Sequence, residues 1–245
     1  MLGCLIIARL SSTRLPNKNI LTLNDIPMII NLFNRIKKSK SLDKIIICTS
    51  IEKTDNLLEK IANEHDVPIF RGDLENIMDR IIKCASKYNL TDIVEVLGDN
   101  PLIDHTLIDY VSSNYFEKKL DYCTNISQDY KKQLDTKPFK CFPIGLRVQV
   151  YKTAVAQEYT KFTEESFISS HPTNFIFENN KIFKNEFLEA KNDFDFLNLP
   201  NLTFAVNEKF QFDNIRNIFE NFKSYNFTLK EMVNFINEKK IDLSI

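Results

Sequence analysis

The sequence predicts an α/β protein with a mostly parallel central sheet and helices on both faces. Short apolar runs alternate with segments of helical period from Leu2 to Phe116. The first run, Leu2 to Ile7, leads straight into a loop dense in cations and hydroxyls, and a later one, Ile93 to Leu97, leads in the same way into Gly98-Asp99-Asn100-Pro101. Strands alternating with helices at this pace build βαβ units. Parallel strands deliver their carboxyl ends to one side of the sheet, where open α/β folds bind ligands, so the two polar loops are expected to meet.

Taken in order, Leu2 to Ile7 is a short buried strand. Pro27 opens a helix carried by Met28, Ile29, Leu32, Phe33 and Ile36 and closed by Lys37-Lys38. Lys44 to Thr49 is a strand, Leu57, Leu58 and Ile61 mark a helix, and Val67 to Phe70 is a short strand. Ile77, Ile81, Ile82 and Ala85 mark the next helix, Ile93 to Leu97 a fourth strand, and Leu107 to Phe116 another helix. Regularity then weakens: residues 125 to 143 read as a polar excursion from the sheet. Gly145 to Tyr151 alternates as a strand, 152 to 178 reads mainly helical, Leu202 to Val206 is a further strand, and helices over 209 to 223 and 228 to 239 close the chain.

All 245 residues read as a single domain, with 43% apolar residues and 20 Phe to fill a core. Lys and Arg number 32 against 33 Asp and Glu, which argues against a nucleic-acid partner held by bulk positive charge and makes any anion binding local. The five cysteines lack CxxC or Cys/His spacing and three sit in apolar runs, so buried free thiols and a cytoplasmic location are expected. No apolar stretch is long enough for a membrane span.

The loop Ala8-Arg9-Leu10-Ser11-Ser12-Thr13-Arg14-Leu15-Pro16-Asn17-Lys18 carries three cations and three hydroxyls. Guanidinium forks and an ammonium can neutralise a polyphosphate while hydroxyls and backbone amides complete the hydrogen bonding. The same composition would also serve a solvated basic turn. It is neither a P-loop nor a dinucleotide fingerprint, because glycine occurs only at 3, 72, 98 and 145. Asp99 is a hard oxygen donor suited to Mg²⁺ carried on a nucleoside triphosphate. The alternative is a plain strand-to-helix turn. For Asp104 the preferred reading is structural, as the N-cap of the helix that follows.

The run A-R-x-x-S-T-R-L-P-x-K after an N-terminal strand resembles the signature loop of the cytidylyltransferases that make CMP-sugars, above all the branch of spore-coat polysaccharide synthesis proteins related to CMP-Kdo synthetase. G-D-x-P-L-I-D from Gly98 is similar to that family's metal-binding motif, and Phe70-Arg71-Gly72-Asp73 leading to Asp79-Arg80 looks like its F-R-G-S/D stretch. Thr49-Ser50 with Asp55 also resembles a family run, A-T-S...D. The likeness covers residues 2 to 116 closely and continues more weakly to about 222.

The resemblance implies a Rossmann-like nucleotidyltransferase fold, with residues 1 to 120 as the nucleotide-binding half and 121 to 245 as the acceptor and dimerisation half. A projecting arm around 121 to 178 would pair two copies. Ala8, Arg9, Ser12, Arg14 and Lys18 would bind CTP, with Arg71 at the base or ribose and Arg80 nearby. The bland reading of Arg80 is a surface charge paired with Glu75 or Asp79. Arg14, Lys18 and Asp99 would be catalytic, Asp99 holding Mg²⁺, and His171 would face the acceptor. Two departures stand out. Arg147 and Gln149 lie where the family has acids, which would suit an acidic acceptor at Arg147. Asn207 stands where the second metal carboxylate is expected. The function implied is transfer of CMP from CTP to an acidic sugar or related acid. The rivals are a nucleotide-binding homologue with little activity, or a transferase using another nucleotide or nucleotide-sugar.

Overall fold

The computed structural model describes residues 1–127, 140–159 and 181–244. Strand β1 (Leu2–Ile7) is buried throughout. After it come a small hairpin, β2 (Thr22–Leu23) and β3 (Ile26–Pro27), and then α1 (Met28–Ile36). The hairpin's two linking residues, Asn24 and Asp25, both have positive φ, the left-handed backbone that tight hairpins require and that Asn and Asp tolerate. It was not expected from the apolar pattern. The chain continues through β4 (Lys44–Ser50), α2 (Asn56–Glu64), β5 (Ile69–Gly72), α3 (Ile77–Lys87), β6 (Asp92–Leu97) and α4 (His105–Glu117). Beyond these lie β7 (Tyr122–Asn125), β8 (Gln149–Lys152), α5 (Thr153–Tyr159), β9 (Asn185–Leu188), α6 (Lys209–Phe222) and α7 (Leu229–Lys239).

Seven strands make one sheet in the order β5-β4-β1-β6-β8-β7-β9. All neighbours are parallel except those of β8, which runs antiparallel to β6 and β7. Ile7 pairs with Cys48 on one side and Leu97 on the other, so the segments after β1, β4 and β6 leave the sheet at one edge. Along β1 the side chains alternate in destination. Leu2, Cys4 and Ile6 join the core built with α1, α4, α6 and α7, while Leu5 and Ile7 join the one built with α3 and α5. The expected mostly parallel sheet with helices on both faces is what forms. All five cysteines are buried free thiols.

Three expected strands are corrected. Val67 does not start β5, because its N–H bonds to the Ala62 carbonyl and finishes α2. Gly145 has φ 91°, turning the chain where a strand was expected to begin. The Asn125 side chain then takes the place of a ladder, donating to the Leu146 carbonyl at 2.9 Å and accepting from Val148 N at 2.7 Å. Leu202 to Val206 is extended but forms no ladder: Thr203 N, Phe204 N and Val206 N donate to Leu243, Ile144 and Asp99 respectively. Of the helical expectation over 152 to 178, α5 accounts for the start, and residues 160–180 lie outside the described residues. So do 128–139, and with them most of the expected arm.

Arg35, on α1, ties the two halves of one face together. Its guanidinium donates to the carbonyls of Leu102, Ile103, Tyr225 and Phe227 and lies 4.3 Å from the centre of the Phe227 ring. Burial pulls its pKa down to about 10 despite Asp104 nearby, so it stays charged at neutral pH. Breaking a buried, hydrogen-bonded charge leaves its partners unpaired. Arg35→Leu is expected to cost about 3–5 kcal/mol in urea unfolding. Arg35→Lys should fall between the two proteins, since one ammonium cannot reach all four carbonyls. A loss within experimental error for Arg35→Leu would show that those carbonyls find water instead.

Candidate active site

The basic loop is anchored at its root. Leu10 N donates to the Asp55 carboxylate at 2.8 Å, and Asp55 also accepts from Thr49 Oγ1 at 2.9 Å and from Ser50 N at 3.1 Å. Asp55 is fully buried, so one carboxylate fastens the loop after β1 to the end of β4. The Leu10 carbonyl then accepts from Ser12 N and Asn17 N, which folds the loop back on itself. Asn17 takes φ 59°, and a 3-10 turn over Lys18–Ile20 buries Lys18 and Asn19. Asn19 Nδ2 donates to the Arg9 carbonyl at 2.9 Å.

The loop after β6 closes against this one. Gly98 N donates to the Ile7 carbonyl at 2.8 Å, and a side chain at 98 would come within 2.9 Å of Ala8 Cβ and 3.1 Å of Asn19 Oδ1. The glycine admits the neighbouring loop. The Asp99 carbonyl accepts from Val206 N at 2.8 Å, which brings Asn207 alongside from the far end of the sequence.

At the centre stands the Lys18 ammonium. It donates to Asp99 Oδ2 at 2.6 Å, the Val206 carbonyl at 2.8 Å and Asn207 Oδ1 at 3.1 Å. Arg14 donates to the same Asn207 oxygen at 2.9 Å. Around this cluster opens a cleft of about 320 Å³. Ala8, Arg9, Ser12, Arg14 and Lys18 line it, together with Arg80, Asp99 and Asn207. Ile7, Ser11, Thr13, Asn19, Ile77 and Leu97 complete the wall. Asn19 was not singled out in the sequence, though it adjoins Lys18.

Arg80 is not the surface charge of the bland reading. It is 1% exposed, donates to the Asp73 carbonyl at 2.6 Å, and lies under the cleft, while Asp79 pairs with Lys83. Its Nε and the Asn19 Oδ1 are buried without a hydrogen-bond partner among the described residues. Buried polar atoms are normally satisfied, so these two stand out as exceptions beside the cleft. Arg71 does not line the cleft. Its guanidinium bonds Glu59 at 2.6 Å and the carbonyls of Ser50 and Glu52. Arg147 is not part of the wall either. It sits within electrostatic reach of the buried Glu95, whose pKa is raised chiefly by burial. Asp104 is the N-cap of α4, accepting from Thr106 N and Leu107 N. His171 lies outside the described residues.

Gln149 has a structural explanation. Its amide donates to Glu95 at 3.1 Å and accepts from Tyr122 OH at 2.6 Å, and Tyr151 OH also donates to Glu95 at 2.6 Å. A glutamate at 149 would set a second buried carboxylate against the first.

The sequence model of the cytidylyltransferases matches residues 3–241. This chain belongs to the cytidylyltransferase family. It is 25% identical over 221 residues to the spore coat polysaccharide biosynthesis protein SpsF of Bacillus subtilis, spanning 88% of this chain and 85% of that one. A cytidylyltransferase from Leptospira borgpetersenii superposes with a TM-score of 0.85 at 22% identity, covering 99% of this chain and 96% of that one. A CMP:2-keto-3-deoxy-manno-octonic acid synthetase solved with CTP superposes at 0.66 with 14% identity, over 90% of this chain and 98% of that one. The cytidylyltransferase described here is therefore a nucleotidyltransferase in fold and family. None of its described helices is long and apolar enough to cross a membrane.

Asp55 touches no part of the cleft, yet it places the cytidylyltransferase's basic loop. In Asp55→Asn one acceptor oxygen becomes a donor facing other donors, at an expected cost of about 1–3 kcal/mol. Nucleotide affinity by calorimetry should fall along with the melting temperature. A stable variant with unchanged affinity would separate the loop from its anchor.

Proposed function

We propose that this cytidylyltransferase transfers CMP from CTP to a small acidic acceptor, a sugar acid or related acid, and releases pyrophosphate, in the synthesis of a surface polysaccharide or other glycoconjugate. The observation that carries the proposal is the convergence of Arg14, Lys18 and Asp99 on one cleft. The names of SpsF and of the CTP-bound synthetase support the nucleotide and the class of pathway.

In this reading Arg9 and Arg14, both exposed at the cleft, neutralise the triphosphate. An acceptor hydroxyl oxygen attacks the α-phosphorus in line and gives up its proton to solvent. The new O–P bond forms as the bond to the bridging oxygen breaks, and pyrophosphate leaves with the electron pair. No protein nucleophile is required. Catalysis is positioning and charge stabilisation by preorganised cations.

Mg²⁺ belongs to the same proposal, and the residues fit it in one respect. Asp99 is a hard carboxylate oxygen donor at the cleft, but no group of three acidic, His or Cys side chains gathers there among the described residues. Asp99 would hold the ion with triphosphate oxygens, and the ion would supply further charge neutralisation at the reacting phosphoryl group. Pairing of two copies through residues 121 to 178 and a cytoplasmic location complete the reading.

A second reading, a nucleotide-binding homologue with weak transfer, is favoured by the single carboxylate at the centre among the described residues. CTP binding without pyrophosphate release, across a panel of acidic acceptors, would select it.

CTP with Mg²⁺ is expected to raise the melting temperature above UTP, GTP and ATP, since a ligand that binds only the native state stabilises it. Preference for another nucleotide would reassign the donor. Arg14→Ala should weaken CTP by about 1.5–3 kcal/mol and CMP much less, because the lost contact is to the outer phosphates. Equal weakening of both in calorimetry would place Arg14 elsewhere.

A further inference from the structure

We infer that the Lys18 ammonium is the resident cation of the nucleotide-free site, held between Asp99 and Asn207 where a divalent ion would have to bind, and that Asn207 positions cations rather than ligating metal. The inference rests on the CTP reading for the ligand that relieves this arrangement.

An ammonium has three protons, and each of Lys18's has its own acceptor: Asp99 Oδ2, the Val206 carbonyl and Asn207 Oδ1. The group is therefore fixed in place. The Lys18 side chain is 10% exposed and that of Asp99 21%, so the pair is largely withdrawn from the solvent that weakens surface ion pairs. Asn207 Oδ1 has two lone pairs, and Lys18 and Arg14 take both. No lone pair of that oxygen is left for a metal.

The charge balance points the same way. Among the described residues Asp99 is the one carboxylate in the cluster, against Lys18 and Arg14. The cluster carries no excess negative charge to draw a divalent ion, and a cation approaching Asp99 Oδ2 meets an ammonium already at 2.6 Å. Two like charges donating to one neutral oxygen are held together at a cost. A triphosphate relieves it by accepting from both. Lys18 then turns from Asp99 toward a phosphate oxygen, and Asp99 is released to a divalent ion arriving with the nucleotide. A neutral amide at 207 suits this exchange, because it gathers the two cations and holds neither as tightly as a carboxylate would.

The test reads metal binding in the absence of nucleotide and needs no turnover. Free Mn²⁺ is followed by electron paramagnetic resonance as the protein is titrated in. The wild type is expected to leave the signal unchanged in the range where Mn²⁺ binds in the presence of CTP. Lys18→Met, which keeps the aliphatic stem and removes the charge, should bind Mn²⁺ without nucleotide at least about tenfold more tightly than the wild type. Lys18→Met combined with Asp99→Asn should lose that gain. Lys18→Gln serves in the same way if the Met variant fails to fold by circular dichroism. Tight Mn²⁺ binding by the nucleotide-free wild type, or no gain in a folded Lys18 variant, overturns the inference. Failure of the wild type to bind CTP in calorimetry would instead overturn the proposed function and leave the Mn²⁺ comparison to be judged by itself.

Discussion

The parallel pairing of β1 between β4 and β6 is the constraint on which the site depends. Because Ile7 is in register with Cys48 and with Leu97, three loops that are far apart in sequence begin at the same sheet edge. Two local devices turn that proximity into a fixed geometry. The buried Asp55 fastens the basic loop to the end of β4, and Gly98 lets the loop after β6 close on Ala8 and Asn19. A fourth segment, ending at Asn207, is added by the bond from Val206 N to the Asp99 carbonyl. Each device is a backbone contact or a buried polar bond, so the cleft is assembled before any ligand arrives.

Electrostatics divides the sheet edge into two environments. Around Lys18, among the described residues, a single carboxylate faces two cations, and the balance invites a polyanion. Deeper in the sheet, Glu95 is closed in by Gln149 and Tyr151, with Tyr122 behind Gln149, a network in which the Tyr122, Gln149 and Tyr151 donors each meet an acceptor. The two departures from the family pattern acquire distinct physical meanings. Gln149 avoids a buried pair of carboxylates. Asn207 provides a neutral oxygen on which Arg14 and Lys18 converge.

Sequence by itself determined what depends on local periodicity and chemistry. The strands β1, β4 and β6 and the helices α1, α3, α4, α6 and α7 were legible because a strand or helix buried on a sheet face repeats its apolar residues at the period of that element. The chemistry of the loop from Ala8 to Lys18 was legible because its three cations and three hydroxyls follow a strand's end in a pattern that resembles a family signature, composition alone leaving a solvated basic turn equally open. Family likeness then brought Asp99, Arg80 and Asn207 into the same picture, and they do share a cleft. Tertiary structure alone decided the rest. β7 was hidden because its buried residues include Thr124 and Asn125, whose polar groups bond to the backbone at 146 and 148 across the sheet. Arg71 and Arg80 have the same charge and stand nine positions apart, yet one is drawn off by Glu59 and the other is buried under the cleft. Lys18's acceptors lie 81 to 189 positions away along the chain. A partner at that separation leaves no periodic trace in the sequence, because it is chosen by how the loops close at the sheet edge.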